Sequence, residues 1–231
     1  MIVSVHLAEV GAKGVPGALR GRPHPALVPG LRYAETTITA PLGPSFLPTP
    51  SAGGIGLIAS WEDAAALDAF EAGHPLAKRF AGGWRARLQP LRVFGTWPEM
   101  AGLPAEELPV DDDEPVVVLT LGKLRLNRVV PFLKASAAAE GEVLDAPGLL
   151  ATIGLARPTR FVATFSVWNS NAEMRAYVTR PGGAHPAAFK AHAERPFHHQ
   201  SAFIRFRPLA SSGDWDGRDP LAQALAAASS S

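Results

Sequence analysis

Cysteine is missing from all 231 residues, and that absence removes more chemistry than any other total. No disulfide, cysteine nucleophile, cysteine-ligated zinc, iron–sulfur cluster or thiolate-ligated haem can form. A bound metal or haem must take its ligands from His, Met, Tyr or carboxylate. Only three Met and two Tyr stand beside seven His. An excess of one charge is lacking too. The net charge is +1, which gives no electrostatic case for nucleic acid, or for acidic lipid as the main partner. No run of about eighteen apolar residues is present, so no membrane-spanning helix is expected. The opening MIVSVHLAEV has neither the basic nor the long apolar segment of a signal peptide. The expected location is cytoplasmic, with association at a membrane surface left open.

Several familiar sites are absent as well. The sequence holds no HExxH, no HxH pair, no G-x-S-x-G elbow, no G-x-G-x-x-G after a strand and no Walker loop. What remains is a globular composition, 47% hydrophobic and 19% charged, long enough for one large domain or two small ones.

Two segments resemble each other. One is GGIGLIASWEDAAALDAFEAGHPLAKRFAGGWRARLQPLRVFGTW (53–97), the other RFVATFSVWNSNAEMRAYVTRPGGAHPAAFKAHAERPFHHQSAFIRFRPL (160–209). In each, an apolar run ends in Trp, a helical pattern follows, then a His-Pro, then a strand-like run. The offset is 107 at Trp61/Trp168 and 111 at His74/His185, which places about four extra residues around TRPGG in the second copy. Upstream, 2–10, 32–40, 115–124 and 149–157 read as strands and 127–140 as a helix, its start limited by Pro131. In the first copy that helix is shortened or broken by GVPGALRGRPHPALVPG. The expected fold is therefore α+β: two tandem ferredoxin-like βαββαβ units whose sheets face each other in an α+β barrel, with a cavity between the sheets. The expected limits are 1–97 for the first unit, 98–113 for a Pro- and acid-rich linker, 114–209 for the second unit and cofactor site, and 210–231 for a tail that begins as a short helix and frays.

Four of the seven histidines, His185, His192, His198 and His199, fall within residues 185–199. His74 and His185 each precede a proline, where a helix start is expected; capping or packing is one reading, and for His185 a ligand or acid–base role is the other. Strand alternation puts His199, Ser201, Phe203 and Arg205 on one face, a mixture suited to a pocket wall or to an exposed strand end. His192, in KAHAE, reads as solvated.

The ordered series SFLPTPSAGGIGLIASW, FVATFSVWNSNAEMRAYV, GAHPAAF, FIRFRPL and GDWDGRDPL resembles the spheroidene monooxygenase family of bacterial carotenoid ketolases and its actinobacterial-type relatives. The resemblance is strongest over 115–221 and weaker over 31–97, and HLAEVGAKGVPGALRGRPHPAL does not match. It implies a dimeric-type α+β barrel that uses haem b to oxygenate a very apolar polyene. Related barrels, the chlorite dismutases and aldoxime dehydratases, hold haem through a histidine of the C-terminal half, and the matching position is His185. On that footing His185 is the implied iron ligand, and His199, Ser201, Phe203 and Arg205 join it around the cofactor. Arg205 and His199 are the expected catalytic pair, Arg205 meeting a bound oxygen species or a propionate. The expected function is haem-dependent, peroxygenase-like oxidation of a hydrophobic small molecule by a monomer or homodimer. The alternatives are a non-catalytic barrel that binds haem or a hydrophobic ligand, and a cofactor-free monooxygenase of the antibiotic-biosynthesis type.

Overall fold

The computed structural model describes residues 1–45, 49–104 and 106–228. Phe46, Leu47 and Pro48 of the SFLPTP motif, Ala105 of the linker and the expected frayed end, Ser229–Ser231, lie outside the described residues.

The first half contains β1 (Ile2–Glu9), α1 (Val15–Arg20), β2 (Leu31–Ala40), β3 (Gly54–Trp61), α2 (Ala64–Gly73) and β4 (Trp84–Gly95). The second contains β5 (Val116–Leu124), α3 (Val129–Leu144), β6 (Leu149–Arg157), β7 (Phe161–Trp168), α4 (Asn171–Val178), α5 (Ala184–Glu194) and β8 (His198–Ser212), and α6 (Pro220–Ala228) follows. The chain is two tandem ferredoxin-like units in one α+β barrel. In α1 the proline-rich insertion leaves only a six-residue helix, with proline in its first turn, where no hydrogen bond is lost. Asp63 and Ser170 start α2 and α4 by accepting from the backbone N–H of Ala66 and Glu173, as N-caps do.

The eight strands close in the order β1-β3-β2-β6-β7-β5-β8-β4. The two sheets join edge to edge, so neither keeps a free edge. The seams are unequal. Strands β4 and β8 pair from Arg85↔Ser212 to Gly95↔Ala202, whereas β2 and β6 share only Ile38↔Ala156, Thr39↔Leu155 and Ala40↔Gly154. Beyond those three pairs, side chains take over the short seam. Arg157 donates to Thr36 Oγ1 (2.6 Å) and the Leu19 carbonyl (3.0 Å), and it shares the buried Glu35 carboxylate with Arg22, each 3.3 Å away.

Register demonstrates the duplication. Trp61 lies opposite Ile2 and Leu31, and Trp168 lies opposite Val116 and Leu149. In both halves a bulge follows at once, between Leu31 and Tyr33 and between Leu149 and Ala151. The added residues also fall at TRPGG, between α4, the counterpart of α2, and α5, which stands where the first copy has only a 3-10 turn at Ala77–Phe80.

The expected cavity between the sheets is not found among the described residues. Val3, Val5, Leu7, Phe161, Phe165, Ile204 and Phe206 fill the barrel interior, because large side chains from both sheets meet across it. Both ends are plugged. The linker packs on the barrel: Met100, with the adjoining Trp97, enters one end and Glu107 binds Arg205, while Glu114, just beyond the linker, binds Arg207. At the other end Trp215 of GDWDGRDPL packs tilted against Trp84, the ring centres 5.1 Å apart. Asp219 then accepts from Trp84 Nε1 (2.9 Å), from Ser211 Oγ (2.8 Å) and from the backbone N–H groups of Leu221 and Ala222 at the start of α6. Asp219→Ala would strip the cap and orphan the buried indole N–H, a loss of roughly 2–4 kcal/mol. Urea unfolding of the two proteins measures it, and a change well under 1 kcal/mol would contradict the assigned role.

Candidate functional site

The two halves treat their helix–sheet layers differently. Aligning β1 with β5 through the tryptophan register makes His6 the counterpart of Thr120. His6 is buried, its ring 5.7 Å from Phe80 and 6.4 Å from Phe70. With Leu57, Leu67 and Leu76 these rings fill the first layer. Burial and the nearby Arg85 and Arg87 push His6 down to about 3, so it packs as a neutral ring. In the second half Thr120 is exposed at the centre of the sheet's middle strand. Leu57 is matched by Thr164, Leu76 by Ala187 and Phe80 by Ala191, and all three are half or fully exposed. The helices above are correspondingly loose: α5 buries no residue and α3 only Val143. The second layer is an open cleft floored by Thr120, Thr152, Thr164 and Ser201.

His185 sits at the far end of an aromatic ladder that both halves possess. In the first, Phe70 meets Trp61 tilted at 4.9 Å and stacks on His74 at 4.7 Å; in the second, Tyr177 stacks on Trp168 at 5.4 Å and meets His185 tilted at 5.5 Å. The two histidines differ in their bonding. His74 ends α2 instead of starting a helix, because Nδ1 accepts from the Leu76 N–H (3.1 Å) and turns the chain there. His185 does begin α5, and its Nδ1 is buried without a partner. Burial lowers its pKa, opposed by a hydrogen bond to the Val178 backbone and by the charge of Glu142, so the ring is neutral near pH 7.

At the other end of the cleft His198 lies over Gly122. A Cβ on Gly122 would stand 2.5 Å from His198 Cδ2, so only glycine admits the ring. His192 and Phe132 flank it at 5.1 and 5.2 Å. Both ring nitrogens are buried and unpartnered, and burial with the neighbouring His192 pushes the pKa down to about 4. His192 is half-buried, not solvated; its Nδ1 accepts from the Phe197 N–H (3.2 Å).

The face expected on β8 survives only in part. Ser201, Phe203 and Arg205 do point together, outward, while Ala202, Ile204 and Phe206 enter the barrel. His199 does not join them. Lys123 pairs with Gln200 and Leu124 with His198, so a bulge leaves His199 exposed and turns its neighbour His198 to the cleft. Arg205 is committed elsewhere. It is buried, donates to Asn171 Oδ1 (2.6 Å) and pairs with Glu107 from the linker, while its Nε has no hydrogen-bond partner. The residues that single-strand alternation missed are His198, Gly122, Thr120 and Thr164. Position-by-position comparison of the two copies would have found the threonines, as places where the second copy loses bulk.

No family model matches the chain. It is 34% identical over 195 residues to the spheroidene monooxygenase of Rubrivivax gelatinosus, covering 82% of this chain and 73% of that one. With the Rhodobacter capsulatus spheroidene monooxygenase it is 31% identical over 190 residues, covering 78% and 77%. The chain belongs to the spheroidene monooxygenase family. Monooxygenase function follows at the level of the family. Among solved structures an aldoxime dehydratase in complex with butyraldoxime aligns at 11% identity and TM-score 0.49, over 90% of this chain and 79% of that one. A heme-degrading enzyme from Listeria monocytogenes aligns at 13% and 0.31, over 87% and 98%. Likenesses this loose say nothing of chemistry.

The depressed histidines set a pH dependence. The unfolded chain takes up protons near 6.5, whereas folded His6 and His198 resist them to about 3 and 4. Stability is therefore full above 6.5 and lost as pH falls through the window below it. His198→Leu removes one of these contributions, so urea midpoints should fall less steeply from pH 6.5 towards 4; an unchanged slope would show that His198 titrates normally.

Proposed function

We propose that this chain is a haem-dependent monooxygenase acting on an elongated apolar substrate of the carotenoid type, with the cofactor lying between the second sheet and the α3–α5 pair. The observation that carries the reading is the contrast between two copies of one layer: the first is filled, while the second is open and holds a histidine whose Nδ1 has no other duty. Family membership supports oxygenation and supports a substrate like the spheroidene of the relatives' names.

The residues present fit a haem. His185 offers a buried, neutral imidazole nitrogen, while its hydrogen bond to the Val178 backbone steadies the ring, as outer-shell partners do for histidine ligands, and the charge of Glu142 acts on it. Gly122 makes room for a second imidazole, His198, with both nitrogens free. Haem, when bound, supplies oxygen activation, which no side chain provides unaided. The protein's own part is placement. His198 is held neutral and able to accept a proton at a ring nitrogen, and the hydroxyls of Thr120, Thr164 and Ser201 line the floor. Phe132 and Phe203 give the cleft apolar surface against which a polyene can exclude water.

Haemin titration of the wild type, His185→Ala and His198→Ala tests the assignment. The wild type should develop a Soret band and bind CO when reduced. His185→Ala should lose normal axial ligation, and His198→Ala should keep it while turnover falls roughly 100-fold, within the range for loss of a positioned proton-transfer group. Normal ligation in His185→Ala would move the ligand elsewhere. A wild type that takes up no haem would end the cofactor reading and leave the cofactor-free barrel.

A further inference from the structure

The outer surface of the two helices over the cleft gathers exposed apolar side chains and cations. Ala184 N donates to Glu142 Oε2 (2.6 Å) and Arg128 Nη2 to the Arg195 carbonyl (3.4 Å), so α3 and α5 lie side by side and antiparallel. Leu126 and Val130 around the start of α3 and Phe189 at the middle of α5 are 56%, 55% and 68% exposed. Large apolar side chains at such exposure on paired helices are what an interaction surface presents. The charges around them are nearly all of one sign. Arg125, Arg128 and Lys134 lie before and within the first half of α3, and Lys190 and Arg195 in and after the second half of α5, against Glu194 alone; Glu140, Glu142 and Asp145 lie at the other end of α3. The net charge of +1 conceals this separation.

We propose that the α3–α5 surface is a docking face for an anionic lipid bilayer, with Phe189, Val130 and Leu126 entering the interface and the five cations meeting lipid phosphates. The chemistry selects this occupant. A protein partner of ordinary composition would leave five like charges unmatched, whereas an anionic leaflet supplies a continuous field that attracts every one of them. Apolar side chains among the cations insert at headgroup depth. Among the described residues no helix is long and apolar enough to cross a membrane, so contact through these helices is peripheral. Docking would also set the loosely packed cover of the cleft against the phase in which a polyene dissolves. That consequence rests on the proposed function; the docking itself does not, and it is measured without haem or substrate, so the two readings fail separately.

The test is flotation of the full chain with vesicles of phosphatidylglycerol plus phosphatidylcholine, and with phosphatidylcholine alone. The expected result is binding to the anionic vesicles only, weakened by salt. Phe189→Ser with Val130→Ser should reduce it at least about tenfold, as should Lys134→Gln with Lys190→Gln. These positions are exposed or half-exposed, so an unchanged thermal midpoint should accompany each loss. Absence of binding to both vesicles overturns the proposal, as does equal binding to both. Concentration-dependent self-association abolished by Phe189→Ser, without vesicle binding, also overturns it and assigns the face to a second copy.

Discussion

Closure of eight strands into one barrel is the constraint on which the rest depends. A closed sheet has no edge to protect, and every strand acquires one face that must fill the interior and one that must meet a helix or water. The inner faces of both halves are committed to packing against each other, which is why Val3, Val5, Phe165 and Phe206 are wholly buried. A site large enough for a cofactor therefore has to open on the outside, where a helix can stand away from the sheet without opening the barrel.

The pseudo-symmetry shows how such a site could arise. In the first half every layer of the helix–sheet contact is occupied, from Trp61 through Phe70 to Phe80 and His6. In the second the ladder persists as Trp168, Tyr177 and His185, but the bulk around it is gone. Large-to-small changes at buried positions typically cost 2–5 kcal/mol each, so an open layer is a substantial sacrifice of stability. Functional sites are where such sacrifices are expected. The residues added at TRPGG complete the change. They free α5 from the end of α4, so that α5 packs on α3 more than on the sheet.

Much of the fold was legible because its signals are local. The β-branched runs, the Trp–helix–His-Pro series and the proline-broken α1 each depend on a few neighbouring residues. The site was less legible because its signals are not. A single bulge at His198–His199 exchanges which histidine faces the cleft, and bulges leave little trace in residue type. Arg205 looks free in the sequence and is captured by Glu107, 98 positions away in a segment that reads as a tether. The expected cavity followed from two sheets facing each other. The sheets do face each other, but side-chain volume, which alternation does not weigh, closes the space.

His74 and His185 bring these strands of reasoning together. Equal conservation of a ring in both halves would ordinarily favour packing as its purpose, and the ladder confirms that packing accounts for the ring. It does not account for the nitrogen. In His74 the Nδ1 lone pair accepts from Leu76 N–H and turns the chain. In His185 the chain enters a regular helix, the corresponding atom is buried, and nothing accepts or donates there. A neutral imidazole with one nitrogen tied to a backbone carbonyl and the other withheld from water is costly to maintain unless a ligand repays it. The same ring can thus be structural by its carbon atoms in both halves and open to chemistry by one nitrogen in only one of them.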